Sequence, residues 1–461
     1  MASGARVGSR AGFDRRLAAT MVLGSVLNPV NSAMIAVALV PIGVAFHAPP
    51  ARTAWLISAL YLATAVGQPV VGRLVDRYGP RPLYLAGTAL VGAAGLLGAL
   101  APSLGVLVAA RVLLGFGTCA GYPASMYLVS MQARRTGRDA PGGILTVLAV
   151  ANQVTAVVGP TLGGLLIGLG GWRAIFLVNV PLAAACLVLG TRRLPRIPTA
   201  GGPARLDPAG MVLFAATLLA LMLFLMAPAR WYLLPAAAAA AAALAVRELR
   251  TAHPFIDLRV LRGNGPLLAT YLRQVLTFTA SYAFIYGYTQ WLEDDRGLHP
   301  SVTGLVLLPS FVTAIVAAAL SGRRRNLHTT LAVGAAAAVV AAAAPLLARP
   351  HSGVWLLVVV GVLAGVPQGV NGLANQNALY RQADTDRIAS AAGLLRTFMY
   401  LGALAASAAV AACYPRGART AGLHTLSLVM LACAVVLVAV TLPDRSLART
   451  VPPVGAVRSR A

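Results

Sequence analysis

The sequence predicts an all-α polytopic membrane protein that crosses the bilayer fourteen times, and three observations predict this fold class. Hydrophobic residues make up 58% of the 461 positions and charged residues only 11%, whereas a soluble domain typically carries about 25% charge. Long apolar runs alternate with short loops that hold most of the charge. No β pattern competes, because open strands would leave backbone groups without hydrogen-bond partners in lipid.

The apolar runs define the spans, since a helix needs roughly 20 apolar residues to cross about 30 Å of hydrocarbon. The eighth span is the weakest, because its residues 231–235 are followed by eight alanines that are only mildly apolar. Spans 7 and 8 must both cross or both stay out, and we expect both to cross. The predicted spans are residues 18–46, 53–71, 83–101, 104–130, 142–169, 174–191, 209–227, 231–246, 266–292, 301–321, 329–348, 353–379, 388–412 and 422–442.

Six spans, a two-span hairpin and six more spans suggest two related bundles, an arrangement found in transporters with internal repeats. We expect an N-terminal six-helix bundle in residues 1–191 and a C-terminal six-helix bundle in residues 266–442. Residues 192–265 form a linker with the extra transmembrane hairpin, and residues 443–461 form a tail. The loops are too small to hold the core of a soluble domain.

The arginines predict the orientation of the chain. All 37 basic residues are arginine, and with the N-terminus inside, 27 lie in loops and tails on that side, seven on the other and three within spans. Cytoplasmic loops carry the excess of positive charge in membrane proteins, so both termini are predicted to be cytoplasmic. The lysine-free, alanine-rich and arginine-rich composition suggests a bacterial inner (plasma) membrane.

Other functional classes are disfavoured by the same composition. The net charge of +25 does not predict nucleic-acid binding, because no basic stretch forms a module with interleaved aromatic residues. The four cysteines lack metal-ligand spacing. An intramembrane enzyme needs a nucleophile with a base, paired carboxylates or metal ligands, yet no Asp, Glu or His lies at span depth. We expect no enzyme activity and no cofactor; a receptor or scaffold is the other alternative to a transporter.

A charged turn between spans 2 and 3, Gly72–Arg81, is the most informative loop. Its glycines permit a tight turn and a close helix approach, and Asp76 can make charge-assisted contacts with a neighbouring helix terminus. The pattern Gly-x-Leu-x-Asp-Arg-x-Gly-x-Arg resembles the loop signature of the major facilitator superfamily, although Pro80 replaces a usual basic residue. The resemblance implies that Asp76 latches the two bundles on the cytoplasmic side; the alternative is a solvated turn that only sets topology. The gating residues expected here are Gly72, Asp76, Arg77, Gly79 and Arg81.

Two further stretches resemble motifs of that superfamily. Span 4 carries Arg111 within the sequence RVLLGFG, similar to its buried-arginine motif, and intramembrane arginine is costly and usually functional. Span 5 carries GPTLGG, which is similar to the antiporter motif of exporters, although Thr155 stands where a glycine is expected. The alternative for the span 5 glycines is helix packing alone. The residues that this motif adds to the gating set are Gly159, Pro160, Gly163 and Gly164.

Further segments resemble the fourteen-helix drug:proton antiporter branch, namely residues 171–181, 253–259 and 290–309. This resemblance implies a secondary active transporter that exports small drugs or natural products by alternating access, working as a monomer. An importer or a proton-uncoupled facilitator of a neutral or anionic solute is the alternative. The small-molecule substrate itself is not identified by the sequence.

The branch motif in span 1 begins with an aspartate, and here that position is Asn31, which cannot titrate. The charges within the spans are Arg111, Arg273 and Arg396, so we expect a cavity that prefers neutral or anionic compounds to lipophilic cations. Proton coupling, if present, would use Asp76 or the acidic residues 293–295 at the outer end of span 9. The polar and aromatic residues expected to line the substrate pathway are Gln68, Tyr122, Asn152, Gln153, Tyr282, Tyr286, Asn375 and Gln376.

Overall fold

The computed structural model describes residues 15–53, 55–136, 142–196, 207–227, 229–251, 254–256, 263–324, 326–415 and 417–447. Most of the predicted tail lies outside these residues, as does the side chain of Pro160. The described chain is helical almost throughout, and its one isolated β-bridge joins Pro415 and Gly417. This agrees with the all-α prediction, since helices satisfy their backbone groups internally.

Nine helices lie in the described residues before the central linker. Short helices and breaks interrupt some of the long rods, as between α5 and α6. The bounds are α1 Arg15–Ala45, α2 Pro50–Thr53, α3 Trp55–Tyr78, α4 Pro80–Ala99, α5 Leu104–Thr118, α6 Gly121–Thr136, α7 Gly142–Gly170, α8 Arg173–Leu177 and α9 Asn179–Arg193.

The described residues from 207 onward form eight more α-helices, two of them inside the linker, with three short 3-10 turns. The bounds are α10 Pro208–Met226, α11 Leu233–Arg250, α12 Gly265–Asp294, α13 Pro300–Ser321, α14 Leu327–Ala343, α15 Val354–Gln382, α16 Ile388–Cys413 and α17 Thr420–Thr441, with the 3-10 turns Ala344–Leu347, Thr385–Arg387 and Arg445–Leu447.

Among the described residues, eleven helical stretches are long and apolar enough to cross a membrane. The chain is therefore a multi-pass membrane protein. The other three predicted spans fall on α7, α11 and α12, whose described residues do not meet that criterion of length and composition. The count of fourteen spans accordingly stays a prediction.

The long helices pack into two groups, here called the N-terminal bundle (α1–α9) and the C-terminal bundle (α12–α17). Helices α10 and α11 pack against each other, and α10 also contacts α3 of one bundle and α16 of the other. Met222 of α10 is buried with Leu62 and Leu404 at this junction. Helix α10 therefore lies against the seam between the two bundles, and α11 packs against α10.

A buried acid fixes the start of α10. Asp207 accepts a hydrogen bond from the Gly210 amide at 2.9 Å and capping of this kind satisfies a helix N-terminus. It also forms a salt bridge of 2.7 Å with Arg247 at the end of α11. Burial acts to raise the pKa of Asp207, but the hydrogen bonds from Arg247 and Gly210 outweigh it and lower that pKa below its ordinary value.

Candidate functional site

The Asp76 carboxylate joins the two bundles at one end of the molecule. It accepts hydrogen bonds from the amides of Ala389 and Ser390, at 3.0 and 2.8 Å, and from the Ser390 hydroxyl. These groups stand at the N-terminus of α16, where unpaired amides and the helix dipole favour a negative charge. We call this contact the latch, and the end of the molecule that holds it the latch end. The arginine distribution predicts that this end is cytoplasmic.

Two glycines let α3 and α16 approach closely beside the latch. A Cβ atom on Gly72 would lie 2.5 Å from the Ala389 carbonyl oxygen, and one on Gly393 would lie 2.4 Å from the Gln68 carbonyl oxygen. Both obstacles are backbone atoms, so neither can move aside easily. Gly79 has a φ of 82° just before α4 begins, a conformation that favours glycine.

The predicted gating arginines do not reach across the bundles. Arg81 donates to the Thr191 carbonyl within the N-terminal bundle at 2.9 Å, and the Arg77 guanidinium lies 5.2 Å from the ring of adjacent Tyr78. A pair absent from the sequence expectations, Arg134 with Asp386 at 2.7 Å, does join the two bundles, but both side chains are exposed. Exposed pairs of this kind contribute about 0–1 kcal/mol.

A cavity of about 370 Å³ lies between the bundles, with walls from both. Ligand pockets typically have volumes of roughly 300–1,000 Å³. Its lining on α3 includes Gln68, which lies eight residues from Asp76, or about 12 Å along a helix. Seven of the eight predicted pathway residues line it: Gln68, Tyr122, Asn152, Gln153, Tyr282, Tyr286 and Gln376.

The eighth predicted pathway residue, Asn375, lies outside this lining. It is fully buried and donates to the Gln274 amide oxygen at 3.2 Å. Gln274 itself lines the cavity. Asn375 therefore belongs behind the wall, where it holds a lining residue in place.

A buried polar network at the cavity crosses between the bundles. Tyr400 of α16 donates to the Asn28 side-chain oxygen at 2.8 Å. Asn28 in turn donates to Thr118 at 2.8 Å and Thr64 at 3.1 Å. Asn28 was not among the predicted pathway residues. It could have been, because it is an amide side chain within an apolar span, as are several of the residues that were predicted.

Aromatic rings cover another part of the cavity wall. The ring centroids of Tyr61 and Tyr400 are 5.4 Å apart, and Tyr282 lies 5.4 Å from Tyr286 and 5.9 Å from Phe278. All five line the cavity. Such rings offer apolar surface with a hydroxyl at one end, and the wall can therefore hold flat apolar ligands.

Arg396 lines the cavity and approaches the opposite bundle. Its guanidinium carbon lies 4.1 Å from the Tyr122 ring centroid, a cation–π arrangement. Its contacts with the Asn152 oxygen and the Met399 sulfur are long, at 3.5 and 3.7 Å. None of the three salt bridges among the described residues includes Arg396.

Arg111 is buried and lies outside the cavity lining. It donates to the Leu56 carbonyl at 2.7 Å and the Asn31 carbonyl at 3.2 Å. Backbone carbonyls are a usual partner for an arginine inside a membrane protein. Arg111 therefore ties α5 to α1 and α3, and of the expected interior charges it is Arg396 that faces the cavity.

Asn31 is also outside the cavity lining. Its side chain forms a reciprocal amide pair with Asn179 of α9, at 2.7 and 2.9 Å. Both residues are almost fully buried. The amide that replaces the branch's aspartate is thus used to hold two helices together.

Arg273 has a partner that the sequence analysis did not assign. Its guanidinium forms a salt bridge of 2.9 Å with Asp444, after the last helix, and donates to Thr270 at 2.7 Å. The Arg273 side chain is 0% exposed and that of Asp444 is 10% exposed. Arg273 thereby anchors the segment that follows α17 and lies outside the cavity lining.

The predicted motif glycines on α7 face α1. A Cβ on Gly159 would lie 2.3 Å from the Ala33 Cβ, and one on Gly163 would lie 3.0 Å from the Met34 carbonyl oxygen. Gly164 has open space around it. Two of these glycines therefore serve a close contact between helices within the N-terminal bundle.

Two of the acids near the end of α12 contact the start of the last helix. Asp295 accepts from the Thr420 amide at 3.1 Å and the Trp291 indole at 2.8 Å. Asp294 accepts from the Ala418 amide at 3.2 Å. Neither lines the cavity, and both satisfy backbone groups around the N-terminus of α17.

Comparisons with known proteins complete this description. Residues 21–407 match the Major Facilitator Superfamily. The chain is 30% identical to the MFS-type transporter YwoD of Bacillus subtilis (strain 168), over 88% of this chain and 92% of that protein. It is also 30% identical to the multidrug efflux pump LfrA of Mycolicibacterium smegmatis, over 85% and 79%. Its fold is similar to the crystal structure of the human organic anion transporter MFSD10 (TETRAN), with a TM-score of 0.66, 17% identity and coverage of 93% of this chain and 100% of that one; this last likeness concerns the fold alone.

Proposed function

Because the chain belongs to the major facilitator superfamily, a family of membrane transporters, we propose that it is a secondary active exporter of small organic compounds. In this proposal it works by alternating access in the plasma membrane, with both termini in the cytoplasm. The substrate binds in the central cavity while the two bundles rock around it. The protein acts as a monomer, because each chain supplies both walls of its own cavity.

The observation that carries the proposal is a cavity between two bundles that a polar latch joins at one end. An alternating-access transporter needs a contact that holds one entrance closed and can be broken at modest cost. Charge-assisted hydrogen bonds contribute roughly 1.5–3 kcal/mol each, a range that a change in substrate or proton binding can offset. The Asp76 contacts with Ala389 and Ser390 are of this kind.

Export is favoured over import by one comparison and one sequence resemblance. LfrA, at 30% identity, is a multidrug efflux pump. The α7 sequence GPTLGG resembles the exporter motif, although its glycine contacts with Ala33 and Met34 of α1 are packing contacts within one bundle and do not themselves indicate a direction. Import or uncoupled facilitation of a small solute is the alternative function. The direction of net substrate transport distinguishes export from import.

The proposal is tested with everted membrane vesicles that contain the protein. Energised everted vesicles are expected to accumulate a substrate from a panel of neutral, anionic and cationic fluorescent compounds, and a protonophore is expected to abolish accumulation if protons drive it. Vesicles lacking the protein are the control. Accumulation only in right-side-out vesicles would contradict export and support the alternative function.

A further inference from the structure

The central cavity contains one formal charge. Among the described residues that line it, Arg396 alone is charged. The rest of the polar lining consists of amides and hydroxyls, such as Asn152, Gln153 and Gln376. The described lining therefore carries a net positive charge, with no carboxylate to balance it.

An arginine inside a transmembrane bundle is costly unless it pairs with another group. Each of the two buried arginines outside the cavity has a short polar contact, Arg111 with the Leu56 carbonyl at 2.7 Å and Arg273 with the Asp444 carboxylate at 2.9 Å. Arg396 has no counter-charge among the described residues: its guanidinium lies 4.1 Å from the Tyr122 ring, and its nitrogens lie 3.5 Å from the Asn152 oxygen and 3.7 Å from the Met399 sulfur. The positive charge of Arg396 is therefore available to pair with an anionic group of a ligand in the cavity.

The surroundings of Arg396 favour a particular kind of anion. A guanidinium presents its N–H groups as a planar fork that matches a carboxylate with two parallel hydrogen bonds. The Tyr122 ring centroid lies 4.1 Å from the guanidinium carbon. The aromatic wall of Tyr61, Tyr400 and Tyr282 lines the same cavity and can cover a flat apolar body.

We propose that the central cavity is a binding site for organic anions in which Arg396 pairs with a carboxylate and the tyrosine wall covers the aromatic body that carries it. This inference rests on the proposed transport function and names its substrate class. A lipophilic cation would meet the Arg396 charge and find no carboxylate on the cavity wall, and so it is disfavoured.

The test measures equilibrium binding of three matched probes to the purified protein in lipid nanodiscs. The probes are 2-naphthoate, the neutral 2-naphthylmethanol and the cationic (2-naphthylmethyl)trimethylammonium, and naphthyl fluorescence reports their binding. The wild type is expected to bind the carboxylate at least about tenfold more tightly than the alcohol, and to bind the cation most weakly. Equal binding of the carboxylate and the alcohol would overturn the proposal.

Substitutions test whether Arg396 causes the preference for the carboxylate over the alcohol. Arg396→Gln is expected to abolish the preference for the carboxylate while changing the affinity for the alcohol less than about twofold. Arg396→Lys keeps the charge but lacks the planar fork, and it should retain part of the preference for the carboxylate. If the Gln variant does not fold, the Lys variant still tests the role of Arg396. Arg381→Gln, an exposed arginine at the end of α15, is the matched control and should behave as wild type. Equal losses for carboxylate and alcohol, or an equal effect of Arg381→Gln, would overturn the proposal.

A parallel transport assay in proteoliposomes separates this site from the proposed function. Selective binding of 2-naphthoate without its movement across the membrane would contradict the transport proposal and leave the anion site standing. Movement of the cationic probe with no preference for the carboxylate would support transport and contradict the anion site.

Discussion

Asp76 and Ser390, which are 314 residues apart in the sequence, are joined by two hydrogen bonds, one from the Ser390 amide at 2.8 Å and one from its hydroxyl. The sequence placed Asp76 in a turn after span 2, but the structure continues α3 to Tyr78, so Asp76 lies in the last turn of that helix and contacts the start of α16 in the other bundle. A carboxylate accepts hydrogen bonds at both of its oxygens. An amide side chain has only one accepting oxygen, and an alkyl side chain has none. The relationship gives the latch a chemical basis that substitutions can test.

Asp76→Asn is expected to weaken the latch, because the Asn side chain carries no charge and can place an NH2 group against backbone amides that also donate. The ratio of molecules with a closed latch to molecules with an open latch should fall by about tenfold or more. Dipolar spectroscopy between spin labels at Tyr78 and Arg381 would show this as a larger fraction of long distances. Ser390→Ala, which removes only the hydroxyl, should have a smaller effect, and an unchanged distance distribution in Asp76→Asn would contradict the role of this contact.

Gly72→Ala is expected to separate α3 from α16, because the new Cβ would lie 2.5 Å from the Ala389 carbonyl oxygen. Overpacking of this kind typically costs 1–3 kcal/mol, and the thermal unfolding temperature should fall together with transport. Gly168→Ala is the matched control, since that position has open space, and it should leave both quantities unchanged. If both variants had the same unfolding temperature and the same transport activity, the close approach of α3 and α16 at Gly72 would be shown to contribute to neither.

Arg111→Gln is expected to destabilise the fold, because it leaves the Leu56 and Asn31 carbonyls without a strong donor in a buried environment. Each unsatisfied group costs about 1–3 kcal/mol. The unfolding temperature in detergent should therefore fall markedly for Arg111→Gln and little for Arg396→Gln, whose side chain is only partly buried and makes long contacts. The reverse order would contradict the structural role assigned to Arg111.

Asp444→Ala is expected to lower stability by about 3–5 kcal/mol, because it leaves the buried Arg273 without its counter-charge. Asp386→Ala removes one partner of the exposed pair with Arg134 and should cost about 0–1 kcal/mol. Chemical unfolding of both variants in the same detergent gives the comparison. Similar small losses would show that the Arg273 salt bridge contributes little.

The sequence predicted the helical architecture because the apolar runs are long and the bilayer limits the possible backbone structures. It also marked Asp76 as an acid suited to a helix terminus. It could not identify Ser390 as the partner, because nothing local to either segment records a contact between different bundles. The residue types were therefore predictable and their pairing was not.

The buried charges show the same limit. The sequence placed Arg111, Arg273 and Arg396 within apolar spans, but it could not tell which of them faces the cavity. That distinction depends on the rotation of each helix and on distant partners such as Asp444, which lies 171 residues from Arg273. Asn31 was noted as a departure from the family's motif, and only the packing of α1 on α9 reveals its pair with Asn179.

Labelling of a cysteine in the cavity from each side of the membrane tests alternating access most directly. Gln153→Cys, in a protein whose four native cysteines are replaced by alanine, would react with a membrane-impermeant thiol reagent applied to right-side-out or everted vesicles. With the latch intact and in the proposed orientation, labelling should occur mainly in right-side-out vesicles, and Asp76→Asn should shift it toward everted vesicles. Labelling whose sidedness does not respond to Asp76→Asn, or no labelling from either side, would contradict the account.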